Sequence, residues 1–320
     1  MLGAPFGGEG LATPRRGPAR PRGALEPTLR SPLRLALVGL VATLLLAAPR
    51  GPAAAELPVT VTLHPLALLA REVGGRDVAV QVLVPPGASP HTFEPRPSDV
   101  ARLSEAALLV RSGGGDDAWA SRLAAAAPQL PMLVLAEALE ARMPEVPHAH
   151  AWLDPIAVRD ALAPALAERL ADIDPTRGPA YAQRLSDFQA RLSALHRELE
   201  ARFAGAQGRS FVAFHGAWDA FAQRYGLRVA AEVEPSPGQE PSPRALAELV
   251  ETARRHQVPA VLVEPQLPSR VAEVLAREFG GTTVLADPLG DPDDPERDSY
   301  EELLRFNARA VQRALGGGDS

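Results

Sequence analysis

Residues 175–203 read PTRGPAYAQRLSDFQARLSALHRELEARF, and within them Ala182, Leu185, Phe188, Leu192, Leu195 and Leu199 recur at spacings of three and four. That period belongs to a helix with one apolar face. Asp174-Pro175 adds a capping acceptor and a proline at the first helical position, so the stretch predicts a helix of about 45 Å at 1.5 Å per residue. A helix of that length can bridge two lobes.

On either side of it, short apolar runs alternate with helix-period segments, the pattern of βαβ units and mostly parallel sheets. Upstream, strands are expected at 59–63, 78–84, 108–111 and 132–135, with helices at 65–74 and from Pro97-Ser98-Asp99, and a helix start at Asp154-Pro155. Downstream, strands are expected at 210–214, 228–233, 260–263 and 282–285, with a helix ending near Tyr225 and others at 243–256, 269–279 and 300–315. The expected fold is therefore α/β, with two similar four-stranded halves joined by one long helix. The boundaries read as an N-terminal extension and signal peptide at 1–55, a first lobe at 56–174, the linking helix at 175–207 and a second lobe at 208–320. The halves match in element order and carry no residue-level repeat.

The chain has 320 residues with 46% hydrophobic side chains, enough for about two domains. Its net charge is −6 and no Lys/Arg block lies beyond residue 56, so a nucleic-acid surface has no electrostatic footprint. Residues 35–48 are apolar, follow Arg30 and Arg34, and precede Ala53-Ala54-Ala55. This is the layout of a cleavable signal peptide, with cleavage expected after Ala55 and a periplasmic destination. Cysteine is absent. That removes disulfides, thiolate metal sites and a lipid-anchor cysteine, so a transition-metal site must use His and carboxylates.

Of the seven histidines, His64, His91, His150 and His215 fall at strand ends or in connecting loops, where parallel α/β sheets bind ligands. His91 follows the stiff loop Pro85-Pro86-Gly87-Ala88-Ser89-Pro90. His150 lies in His148-Ala149-His150-Ala151-Trp152-Leu153-Asp154-Pro155, and His215 directly follows a strand. Asp287, in Ala286-Asp287-Pro288, is also just past a strand, and alone it reads first as an Asp-Pro turn or cap. Three imidazoles and one carboxylate suit tetrahedral Zn²⁺. Mn²⁺ or Fe²⁺ would be held less specifically. His64 reads as a strand-end packing residue, His148 as a solvated helper at the entry, Glu240 as part of a cleft rim, and Asp116-Asp117 as a helix cap after Gly113-Gly114-Gly115.

These motifs together resemble the cluster A-I periplasmic metal-binding proteins, the solute receptors of zinc and manganese ABC importers. The likeness rests on Pro90-His91-Thr92-Phe93-Glu94-Pro95, Pro97-Ser98-Asp99-Val100, His150-Ala151-Trp152-Leu153-Asp154-Pro155, Phe214-His215, Glu240-Pro241-Ser242-Pro243, Glu264-Pro265-Gln266 and Asp287-Pro288-Leu289-Gly290. It implies two lobes joined by a rigid helix and a metal held between them by His91, His150, His215 and Asp287. It also implies a zinc cargo, because manganese receptors of the family often replace the third histidine by a carboxylate, and an ABC permease in the inner membrane as partner. Two places depart from the pattern: Gly216 stands where relatives often carry Asp, and the acidic, histidine-rich loop is reduced to Glu145, His148 and His150.

The expected function is a monomeric, high-affinity zinc receptor and not an enzyme, since four protein ligands leave no position for an activated water. A Mn²⁺/Fe²⁺ receptor differs from it only in cargo. A zinc hydrolase would need a local signature such as His-Glu-x-x-His, which the sequence lacks.

Overall fold

The computed structural model describes residues 55–317 except 235–237, 240 and 269. The extension, the apolar run at 35–48 and Glu240 lie outside them. Residues Ala55–Ser320 form one compact unit. No described helix is long and apolar enough to cross a membrane.

The first sheet contains β1 (Leu57–Val61), β2 (Val78–Val82), β3 (Leu108–Arg111) and β4 (Met132–Val134), all parallel, in the order β2-β1-β3-β4. Its crossovers carry α1 (His64–Gly74), α2 (Pro97–Leu103) and α3 (Ala120–Ala126), and α4 (Leu135–Arg142) follows β4. The second sheet repeats this order as β6-β5-β7-β8, from β5 (Ser210–Ala213), β6 (Arg228–Glu232), β7 (Ala260–Val263) and β8 (Thr282–Leu285). The central strand β7 is apolar throughout and all four of its residues are buried, as befits a parallel strand covered on both faces.

Between the sheets the chain passes through Pro155–Ala157, a π-helical turn Val158–Leu162 and α5 (Ala163–Ile173). Pro164 has no N–H to return to the preceding turn, which accounts for the widened helix ahead of it. The long helix α6 spans Gly178–Phe203, 26 residues, after a 3₁₀ turn at Pro175–Arg177. It thus begins three residues later than the Asp-Pro signal suggested. Its buried stripe is Tyr181, Phe188, Leu192, Leu195, Leu199 and Phe203, whereas Ala182 faces solvent.

Four further helices complete the second half: α7 (Asp219–Arg224), α8 (Pro243–Arg255), α9 (Arg270–Phe279) and α10 (Tyr300–Ala314). Helix α6 packs on α5 and α1 from one half and on α10 from the other. Arg191 in its middle pairs with Glu72 of α1 and Glu301 of α10. The apolar core follows the same route, running without a break from Val61 and Leu66 through Phe188 and Leu199 to Leu262 and Leu304. A second cluster lies between the outer face of the second sheet and α8 and α9.

Candidate metal centre

Each expected histidine is presented by an anchored turn, His91 and His215 beyond strand ends and His150 in the loop after α4. His91 sits in the 3₁₀ turn Pro90–Thr92 after β2, where the Trp119 indole N–H donates to the Pro90 carbonyl at 3.0 Å and Phe93 packs on the same indole. His150 precedes the turn Ala151–Leu153 and has a left-handed backbone, φ 50°. Histidine tolerates this region better than most residues, but the strain remains of order 1–2 kcal/mol. The His150 turn is held from the second half: Trp152 Nε1 donates to the Pro288 carbonyl at 2.7 Å, and the Tyr300 hydroxyl donates to the Trp152 carbonyl at 2.7 Å. Asp154 then accepts from the Ile156 N–H and pairs with Arg224, whose Nε donates to both carboxylate oxygens and Nη2 to Oδ2.

His215 follows β5, and its Nδ1 lies 2.7 Å from Glu264 Oε1, just past β7. That partner fixes the ring and turns Nε2 toward His150 Nε2, 3.3 Å away. Ligands about 2.0–2.1 Å from a tetrahedral Zn²⁺ are themselves about 3.3 Å apart, so the spacing is that of two ligands on one ion. His91, His150 and His215 each offer a nitrogen within 4.8 Å of the other two, and they form the metal-compatible group of at least three such residues among the described residues. Together with Glu264, Gln266 and Pro288 they line a cavity of about 10 Å³, room for one ion or water and too small for an organic ligand.

Burial, with the charge of His215 as a second cause, pulls the His91 imidazole down to about 4. Burial likewise lowers His150 well below the ordinary histidine range, with His215 and His91 adding to it. For His215 burial acts downward too, but the charge and hydrogen bond of Glu264 overcome it and raise the ring. Two of the three imidazoles are therefore held neutral, as metal ligands must be, and the third is the one whose surroundings favour a proton that a metal would have to displace.

Asp287 is buried beyond β8 as expected, with both oxygens engaged. Oδ1 accepts from Gln266 Nε2 at 2.9 Å and from the Leu289 N–H at 3.0 Å, while Oδ2 pairs with Arg297 at 2.8 Å. His64 opens α1 and is buried, with its Cδ2 3.3 Å from where a Cβ on Gly290 would sit. His148 pairs with Glu140 at the surface. Gly216 does not deprive His215 of support, because Glu264 supplies it; a Cβ at 216 would come within 3.2 Å of Glu232 Oε1.

The sequence reading missed two acids. Glu264 belongs to a motif that was recognised without a role. Asp116 was read as a cap, yet the cap-like work falls to Asp117, which accepts from the Ser112 and Gly113 N–H groups and from Thr62 Oγ1. Asp116 faces the histidines, its Oδ1 3.4 Å from His150 Nε2 and 3.9 Å from His91 Nε2. Burial and then Asp117 push its carboxyl up to about 6.

The family model of ZnuA, the periplasmic component A of the zinc-uptake complex, matches residues 59–314. The high-affinity zinc uptake system protein ZnuA of Bacillus subtilis is 25% identical over 281 residues, covering 81% of this chain and 88% of that protein. The manganese ABC transporter substrate-binding lipoprotein PsaA of Streptococcus mitis is 26% identical over 280 residues, covering 81% and 89%. Among solved structures, a ZnuA deletion mutant with zinc bound superposes with a TM-score of 0.71 at 31% identity, over 83% of this chain and 100% of that one. With the family match running from β1 to the end of α10, the chain belongs to the ZnuA family of periplasmic zinc-uptake components.

Proposed function

We propose that this protein is the zinc receptor of an ABC importer, taking Zn²⁺ from the periplasm on His91, His150 and His215 and passing it to a membrane permease. The observation that carries this reading is the buried trio of imidazoles with ligand nitrogens within 4.8 Å of one another. Three imidazoles match Zn²⁺ better than Mn²⁺, which prefers oxygen donors. Asp287 is the fourth ligand on this reading, reaching the ion by releasing Gln266 while Oδ2 stays with Arg297. The site then has no open coordination position for a hydrolytic water, so capture and release are the function.

The protein reaches the periplasm by a signal peptide cut after Ala55, with a first lobe at 56–174, a second at 208–320 and the long helix between them. It acts as a monomer. Release follows from withdrawing His215 and Asp287 from His91 and His150 when the permease docks. The Trp152–Pro288 and Tyr300–Trp152 hydrogen bonds span the two halves beside the site and keep that movement small.

A competition titration tests the proposal. One Zn²⁺ per chain, retained against excess Mn²⁺ and lost in His91→Ala and His150→Ala, is the expected result. Preferential retention of Mn²⁺ would make the chain a manganese receptor, and zinc-dependent hydrolysis would make it an enzyme.

A further inference from the structure

We propose that Asp116 is a metal ligand of this centre, and that His91, His150 and Asp116 form a half-site able to hold Zn²⁺ without His215 and Asp287. The inference rests on the zinc-receptor reading and adds to it a donor that the ligand set expected from the sequence does not contain.

Three observations carry it. The first is distance: Asp116 Oδ1 lies 3.4 Å from His150 Nε2, near the edge of a tetrahedron around zinc, and 3.9 Å from His91 Nε2. The second is unmet bonding capacity. Asp116 is 2% exposed, and its Oδ2 has no hydrogen-bond partner, nor has His91 Nε2. A buried carboxylate oxygen without a donor is unfavourable; Oδ1 is the oxygen that faces the rings, and a cation held there on both carboxylate oxygens would satisfy Oδ2 and His91 Nε2 together. The third is the contrast with its neighbours. Every oxygen of Asp117 and of Asp287 accepts a hydrogen bond or an ion pair from protein donors.

The chain builds this arrangement deliberately. Gly113 turns with φ 83°, where an added Cβ would collide with Val134 Cγ1, so the bend after β3 needs glycine. Asp117 then locks the turn to the end of β3, which leaves the preceding carboxylate aimed at the rings. Trp119, two residues on, holds the carbonyl of Pro90, so the Asp116 turn and the His91 turn are tied together. All three donors precede α6 in the chain. When His215 and Asp287 withdraw, the ion keeps two imidazoles and one carboxylate, a weaker set from which a permease can take it.

The test uses the full protein with four changes: Asp116→Asn, Asp287→Asn, His215→Ala, and His215→Ala combined with Asp116→Asn. Zn²⁺ affinity is read by competition against a chromophoric chelator, Co²⁺ absorption reports the donor set, and circular dichroism confirms folding. Asp116→Asn should weaken Zn²⁺ binding at least about tenfold, the scale on which altered metal-site partners act. His215→Ala should keep one weaker Zn²⁺, and adding Asp116→Asn should remove it, with a changed Co²⁺ spectrum in each Asp116 variant. Zinc binding of Asp116→Asn equal to the parent, or of the double variant equal to His215→Ala, would overturn the proposal. Failure of the receptor reading is separate: the unmodified protein would then bind no zinc.

Discussion

Glu264 Oε1 lies 2.7 Å from His215 Nδ1, and both side chains are buried. The pair decides which nitrogen of His215 is free. With Nδ1 committed to the carboxylate, Nε2 is the only one that can meet an ion shared with His150. Replacing Glu264 by Gln keeps the shape and removes the charge. Zinc affinity should fall by about 10- to 100-fold with the fold intact, the usual consequence of losing a carboxylate behind a metal-bound histidine. Titration against a competing chelator measures it, and an unchanged affinity would remove Glu264 from the site's chemistry.

The pH profile follows from the same pair. His91, held down to about 4, and His150, lowered by burial, need no deprotonation at neutral or mildly acid pH. Burial acts downward on His215, but Glu264 raises it, so of the three rings it is the first to take up a proton as pH falls. Zinc must displace that proton, so affinity should drop by about tenfold per pH unit there. Below about 6, protonation of Asp116 steepens the loss. In His215→Ala the profile between pH 7 and 6 should be much flatter, and a flat profile in the parent protein would contradict the assignment.

His150 has φ 50°, so its two simplest replacements should differ. Alanine and glycine both remove the ligand, but only glycine also relieves the left-handed strain, worth about 1 kcal/mol. In urea melts without metal, His150→Gly should therefore equal or exceed His150→Ala in stability despite its larger unfolded-state entropy. A glycine variant clearly less stable than the alanine one would argue against strain at this turn.

Trp152 reaches across to Pro288, and its loss can be isolated with Trp152→Phe, which keeps an aromatic ring and deletes the indole N–H. The expected stability loss is about 0.5–1.5 kcal/mol. Zinc dissociation should be faster, because the turn carrying His150 loses one of its ties to the second half. Stopped-flow transfer to a chelator gives the rate; an unaltered rate would mean that the tie plays no part in retention.

Much of this was legible in the sequence, for identifiable reasons. β3, β7 and β8 fall where apolar runs end in turn residues, and their expected bounds match. The long helix was readable from its period, but Pro175 opened only a 3₁₀ turn, and the buried stripe begins at Tyr181 because Ala182 lies off the face that Phe188 and Leu192 define. Helix α4 went unread and α3 was signalled only through the cap reading of Asp116-Asp117: the alanine-rich stretch of α3 and the weakly patterned one of α4 have little amphipathic contrast. The three histidines were visible because each lies at a strand end or in a connecting loop, His150 in the loop after α4. Asp116 was not, because in Asp116-Asp117 one acid satisfies the backbone and the other faces the rings, and only three-dimensional placement tells them apart.

The unbroken core that α6 carries from one sheet to the other has a thermodynamic consequence. Neither half can lose its packing without exposing the apolar side of the helix to water, so the two should melt in a single cooperative transition. Any ion bound in the native state then stabilises the whole body, by about 4 kcal/mol at a thousandfold excess over its dissociation constant. Cargo occupancy and resistance to envelope proteases thereby become one variable: the loaded receptor survives, and the empty one is the form exposed to turnover.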